Sequence, residues 1–320
     1  MSNAIALADQ QCLKGDVAGG LATLKAAAAD GDALAARELA VWYLQGQPVA
    51  RNLAESRLAF ARAAELGDEP SQRVYRNFVA QGLGGPADWA QAIALLHVAA
   101  DGDDDARRQL PLVEGLAASD EAAGRSMSEA ATVSEEPLIR NFEGILSPAE
   151  CDFLVDSARP LLQPAVIVDP VTGRQTANPI RTSEAAAFAF VDESPIIHAI
   201  NRRIALASRT DVRCGEPLQV LRYSPGQEYR LHSDALPGCP PAQQRVLTFL
   251  IWLNDDYLGG ETSFPKLGIQ LRGRKGDGLL FGSTLPDGQP DPRANHAGLP
   301  VTAGSKLLAS RWIRATPLIY

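Results

Sequence analysis

Apolar and polar positions follow two different rhythms along this chain. Up to about residue 118 the sequence is rich in Ala and Leu, spaced as on helices; from about 138 onward it turns to Gly, Pro and β-branched runs. In the second half, Leu218–Tyr223, Arg245–Leu253, Gly278–Phe281 and Lys306–Arg314 read as strands bounded by Gly, Pro, Asn and Asp. Two helices are expected before them. One begins near Ser147, with Pro148 in its first turn and Glu150 positioned for a capping box. The other covers about Pro195–Ser208. Between the halves, Ala117–Glu136 is Ala/Ser/Glu-rich without apolar periodicity, which predicts a linker, partly helical at most. The expected organisation is α+β: helical repeats over 1–118, a linker over 119–137, and a β-sandwich or jelly roll with flanking helices over 138–320.

The first half repeats itself at an interval of 36. Asp16, Asn52 and Asp88 coincide, as do Leu24, Phe60 and Leu96, and the pairs Ala27-Ala28, Ala63-Ala64 and Ala99-Ala100; Gly46 matches Gly82, and Gly31, Gly67 and Gly102 follow the Ala pairs. A fixed period in this range means stacked supersecondary units. Asp or Asn at 16, 52 and 88 accepts orphan backbone N–H groups and starts a helix. The Gly after each Ala pair stops one. Helix pairs are therefore predicted at 33–45 with 52–65 and at 69–81 with 88–100. This spacing, with Gly46 and Val49 and the run Ala63–Asp68, resembles SEL-like repeats, relatives of the tetratricopeptide family. The resemblance implies a protein-interaction scaffold; the alternative is that the repeats only brace the second domain. Trp42, Tyr43, Tyr75 and Trp89 are read as packing residues.

Composition narrows the function classes. An apolar fraction of 46% and a charged fraction of 21% suit a chain with a packed core. Lys+Arg 30 against Asp+Glu 38 gives a net charge of −8, which argues against a nucleic-acid partner. No apolar run approaches the ~20 residues of a membrane span. The start, Met1-Ser2-Asn3-Ala4, has neither a basic region nor an apolar stretch, so no secretory signal is expected. Cys12, Cys151, Cys214 and Cys239 follow no zinc or disulfide spacing, and a cytoplasmic location is expected.

The chemistry rests on few histidines: His97, His198, His232 and His296. In an extended segment residues i and i+2 share a face, so His232 and Asp234 can converge. His296 is far off in sequence, as a ligand from another strand should be. Two imidazoles and one carboxylate form the facial arrangement of non-haem Fe(II) oxygenases. Lys306, Leu308, Ser310 and Trp312 alternate onto one strand face, and a lysine turned into a barrel calls for an anion. A dicarboxylic co-substrate would supply it, with Tyr223 donating a phenolic hydrogen bond. His198 is read as structural and His97 as a solvated or packed repeat residue.

The segment Tyr223–Asp234 resembles the metal strand of the prolyl 4-hydroxylase family of 2-oxoglutarate/Fe(II) dioxygenases. The resemblance extends to Arg181–Ser183, Arg245–Thr248, Leu253-Asn254, Gly259–Thr262 with Phe264-Pro265, Gly276-Asp277, His296–Val301, Gly304–Lys306 and Trp312, all in order. It implies that His232, Asp234 and His296 bind Fe(II) and that Lys306 pairs with the distal carboxylate of 2-oxoglutarate. Tyr223 and Thr248 would assist, and Trp312 would line the co-substrate pocket. O2 is the second co-substrate and ascorbate a further ligand. Substrate contacts are expected from Tyr229, unless it is packing, and from Arg181, whose alternative is an ion pair inside the fold. The loops Ile167–Thr182 and Leu236–Gln243 are candidates to fold over substrate. Three readings stay open: a protein or peptide prolyl hydroxylase whose substrate the repeats recruit, a hydroxylase of a free amino acid or metabolite whose repeats are structural, and a non-enzymatic protein with a relic metal fold. The intact ligand set and Lys306 argue against the third.

Overall fold

A computed structural model describes residues 2–126, 130–168, 175–177 and 179–318. They divide into two compact units, one formed by Met1–Val113 with Phe190–His198, the other by Glu114–Ala189 with Ala199–Tyr320.

The first unit is helical: α1 (Asn3–Leu13), α2 (Val17–Ala29), α3 (Ala33–Gln45), α4 (Leu53–Glu65), α5 (Glu69–Gln81), α6 (Trp89–Ala99) and the start of α7 (Asp104–Ser126). The repeat period appears as repeated capping. Asp16, Asn52 and Asp88 each accept backbone N–H groups at the start of α2, α4 and α6. Asp32 and Asp68, which follow the repeat glycines, cap α3 and α5 in the same way. Gly46 and Gly82 end α3 and α5 in the left-handed region, at φ 74° and 76°, where a side chain would be strained. Leu24, Leu39, Trp42, Tyr43, Phe60 and Phe78 form the main core; Tyr75 and Trp89 pack on a smaller cluster around Val79. Phe190–His198 is held here by amides of α5: Asn77 donates to the Val191 carbonyl (2.8 Å), and Gln81 to those of Phe190 (2.8 Å) and Glu193 (3.0 Å). His198 is buried, its Nδ1 2.6 Å from Glu193 Oε1, whereas His97 is exposed.

The second unit carries α8 (Pro148–Ala158), whose start forms the expected capping box between Ser147 and Glu150, and most of α9 (Pro195–Ser208). Its strands are β1 (Ala131–Ser134), β2 (Ile139–Phe142), β3 (Gln163–Pro164), β4 (Val166–Val168), β5 (Gln175–Ala177), β6 (Glu184–Ala187), β7 (Gln219–Tyr223), β8 (Tyr229–His232), β9 (Arg245–Trp252), β10 (Leu258–Gly259), β11 (Thr262–Phe264), β12 (Ile269–Leu271), β13 (Gly278–Gly282), β14 (His296–Gly298), β15 (Val301–Ala303) and β16 (Lys306–Arg314). They form a large antiparallel sheet, β1-β2-β13-β9-β16-β7-β6-β3, a small one, β12-β11-β14-β8, and the pairs β10-β15 and β4-β5. The two main sheets face each other as a jelly roll. Phe264 of the small sheet meets Phe281 of the large one at 5.2 Å, in a core with Trp252, Leu250 and Leu279.

The stretch between the halves is more regular than its composition suggests. α7 continues through Ser126, and β1 joins the edge of the large sheet against β2. Ala and Glu are strong helix formers even without an apolar stripe, and the pairing of β1 is a tertiary contact that no local pattern announces. In the stretch from 167 to 182 expected as a loop, β4 and β5 pair antiparallel; Asp169–Arg174 and Asn178 lie outside the described residues.

Candidate active site

Antiparallel pairing of β8 with β14 sets His232 directly opposite His296. Asp234 follows β8 by two residues, and its carboxylate lies between the rings: Oδ1 is 3.6 Å from His232 Nε2 and Oδ2 is 3.6 Å from His296 Nε2. One ligand atom from each of the three residues lies within 4.8 Å of the others. The tautomers follow from the hydrogen bonds. Nδ1 of His232 lies 2.8 Å from the Arg230 carbonyl, and Nδ1 of His296 lies 3.2 Å from that of Ala294. A carbonyl can only accept, so each Nδ1 carries the proton and each Nε2 presents its lone pair to the shared space. Burial pushes His296 down to about 4, leaving a neutral ring at neutral pH. Burial also works to raise Asp234, but the flanking imidazoles and the Thr248 hydroxyl outweigh it and hold the carboxyl below the ordinary carboxylate range. Two bare nitrogens and an ionised carboxylate aimed at one point repel one another unless a cation lies among them. This donor set suits a ferrous ion.

Other predicted residues line the same small cavity, of about 30 Å³. Thr248, on β9, donates its hydroxyl to Asp234 Oδ2 at 2.6 Å. Tyr229 stacks on His232, with ring centres 3.4 Å apart and planes 11° from parallel. Lys306 lies opposite Tyr223 in the β16–β7 ladder, only 2% exposed, with its Nζ 5.7 Å from the Tyr223 ring centre. Nζ donates to the Gly260 carbonyl at 2.6 Å, and among the described residues Glu261 acts on it only through its field. An ammonium has three donors, so capacity remains for an anion. Burial pushes Lys306 down to about 8, opposed by the field of Glu261. Gly260 has φ +70°, a conformation that side chains rarely adopt, and a Cβ there would lie a tight 3.2 Å from Lys306 Cδ, so glycine suits this position. Burial also raises the Tyr223 phenol, which therefore stays protonated and able to donate. Arg181 lies outside this cavity lining; its guanidinium is 5.7 Å from the Tyr229 ring centre, beside the backbone bridge between the two residues.

Sequence alone gives Arg245 no role beyond its place in the Arg245–Thr248 segment. Arg245 stacks its guanidinium on the Trp312 ring at 3.7 Å, while Glu216 grips it with two hydrogen bonds of 2.7 and 2.8 Å. The pairing of β9 with β16 brings these residues together, and nothing in their spacing points to it. The role of the Gly260 carbonyl was equally invisible, because a backbone atom has no residue type.

Two imidazoles and a carboxylate beside a buried ammonium, all carried on a jelly roll, are the arrangement that a 2-oxoglutarate- and Fe(II)-dependent oxygenase requires. A family model for the 2OG-Fe(II) oxygenase superfamily matches residues 218–314. Prolyl 4-hydroxylase 1 of Arabidopsis thaliana is 41% identical over 199 residues, covering 57% of this chain and 70% of the relative. Prolyl 4-hydroxylase subunit alpha-1 of Rattus norvegicus is 32% identical over 186 residues, covering 56% of this chain and 35% of the relative. Among solved structures, the 2OG complex of viral collagen prolyl hydroxylase from Paramecium Bursaria Chlorella virus-1 aligns with TM-score 0.46 and 30% identity, over 57% of this chain and 99% of that one. A Sel1 repeat protein from Oxalobacter formigenes aligns with TM-score 0.29 and 24% identity, over 34% of this chain and 85% of that one. The chain belongs to the prolyl 4-hydroxylase family. It is a dioxygenase that works with Fe(II), 2-oxoglutarate and O2.

Proposed function

We propose that this enzyme hydroxylates prolyl residues of a protein or peptide, with the helical repeats of residues 1–118 recruiting that substrate to the catalytic domain of residues 138–320. The observation that carries the site assignment is the convergence of two bare Nε2 atoms, one carboxylate and one buried ammonium with donors to spare on a single cavity. His232, Asp234 and His296 hold the iron, and the Arg230 and Ala294 carbonyls fix the orientation of the two rings. Thr248 keeps the Asp234 carboxylate ionised and in place. Lys306 takes the distal carboxylate of 2-oxoglutarate, Tyr223 donates its phenol to the same group, and Trp312, steadied by Arg245, walls the pocket. When bound, the iron supplies oxidising chemistry that splits 2-oxoglutarate into succinate and carbon dioxide and places one oxygen of O2 in a C–H bond. Tyr229 and Arg181 lie toward the substrate side, near Leu231 and Ile180, which are 57% and 41% exposed. Ascorbate is assigned as a further ligand through the family resemblance. A cytoplasmic setting is supported by four free cysteines. Among the described residues no helix is long and apolar enough to cross a membrane.

The test is a 2-oxoglutarate consumption screen with Fe(II) over proline-containing peptides, whole-cell protein and free amino acids, reading products by mass spectrometry. Gain of one oxygen atom on prolyl residues of peptide or protein is expected. Turnover restricted to free amino acids would instead establish the small-molecule reading.

A further inference from the structure

A second cavity lies within the helical-repeat unit. It encloses about 670 Å³ between α4, α5, α6 and the start of α7. That size falls in the usual range of ligand sites. It exists because Ala61, Ala64, Ala99 and Gly102 present almost no side chain where the helices meet. Arg76 also lines it. This side chain is 1% exposed, yet among the described residues its Nε and Nη2 have no hydrogen-bond acceptor. Its ion-pair partner Asp103 stops 3.9 Å away, beyond hydrogen-bond distance. Arg203, buried at 7% exposed, likewise leaves its Nε unpartnered among the described residues, but its Nη1 and Nη2 donate to both oxygens of Glu150 and to the Ile145 carbonyl. Donors left bare at Arg76 carry a desolvation penalty that a bound acceptor removes.

The rest of the lining indicates which acceptor. Glu65, Glu69, Asp103 and Asp104 outnumber Arg73 and Arg76, so a free anion would meet a net negative field. Tyr75, Leu95 and Val98 add apolar surface, and Val98 is 75% exposed. A main-chain carbonyl supplies an acceptor without net charge, and a basic side chain complements the carboxylates. We infer that this groove docks an extended segment of the protein substrate in which Lys or Arg stands beside an apolar residue, with a main-chain carbonyl of the segment accepting from Arg76. The inference rests on the recruiting reading above and names the surface and the chemistry it recognises.

The test uses the full chain and a fluorescein-labelled ten-residue peptide of alternating leucine and lysine, followed by fluorescence anisotropy. Saturable binding is expected. It should weaken at least tenfold in Arg76→Met and in Ala99→Phe, which fills the groove, while a leucine/glutamate peptide does not bind. A second arm appends the leucine/lysine segment through a flexible linker to a proline-containing peptide. The KM of that fusion should be at least tenfold lower than that of the bare peptide in the unmutated enzyme, and not in Arg76→Met. Turnover of the bare peptide should be unchanged in both variants, which verifies folding. Absent binding, binding that both variants retain, or equal binding of the leucine/glutamate peptide overturns the groove assignment. Groove binding without any change in KM overturns instead the recruiting reading.

Discussion

The two faces of β16 each bury a cation, and they treat it in opposite ways. On one face Arg311, 3% exposed, donates to the carbonyls of Glu216, Asn201 and Val212, each at 3.0 Å. On the other, Lys306, 2% exposed, donates to the Gly260 carbonyl and otherwise faces the cavity that holds the two histidines and the aspartate. The first cation has its donors consumed by backbone and acts as a clamp. The second keeps donors in reserve. Burial alone does not mark a functional charge; unspent hydrogen-bonding capacity beside a cavity does.

The largest effect is expected from removing the centre that Lys306 faces. Asp234→Ala and His232→Ala should each abolish iron-dependent 2-oxoglutarate consumption while the circular dichroism spectrum stays native; retained consumption would refute the ligand assignment. Next, Lys306→Ala should raise the KM for 2-oxoglutarate by about a hundredfold, the loss of a charge-assisted pair worth about 2–3 kcal/mol, with little loss of stability. Arg311→Met should do the reverse, lowering the urea unfolding free energy by about 3–5 kcal/mol by stranding buried carbonyls, with KM unchanged in the folded fraction. Exchange of these two phenotypes would invalidate the contrast. Thr248→Val should weaken Fe(II) affinity by about 10–100-fold, measured by metal titration, because the carboxylate ligand loses its orienting hydrogen bond.

The smallest effect is one of pH. Burial lowers Lys306 to about 8 from an ordinary 10.5. Below pH 8 both folded and unfolded chains carry the charge, and the fold bears the cost of burying it. Between pH 8 and 10.5 the folded chain sheds a proton that the unfolded chain keeps, so this group makes the ligand-free protein more stable as pH rises through that window. Capture of 2-oxoglutarate runs the other way and should weaken by about tenfold per pH unit above 8, once the ammonium is lost. Lys306→Met should flatten that dependence of KM, and a steep rise persisting in it would locate the titration elsewhere.

Much of this was legible in the order of residues. The caps at Asp16, Asn52 and Asp88 are local, since an Asp or Asn side chain bonds N–H groups only two or three residues away, and so the repeat period and helix starts followed directly. Strand alternation likewise put Lys306, Leu308, Ser310 and Trp312 on one face, and the two-residue spacing of His232 and Asp234 allowed them to meet. What remained hidden depends on contacts between distant segments. The bond from Thr248 to Asp234, the Gly260 carbonyl under Lys306, the Arg245 stack on Trp312 and the bare donors of Arg76 are each set by which strands or helices become neighbours. The elements, their faces and a set of residue types suited to iron and a keto diacid follow from near neighbours and periodicity alone. Which donors are spent and which stay in reserve follows from the packing of distant segments, because a hydrogen bond between remote residues exists only once packing has brought them within reach.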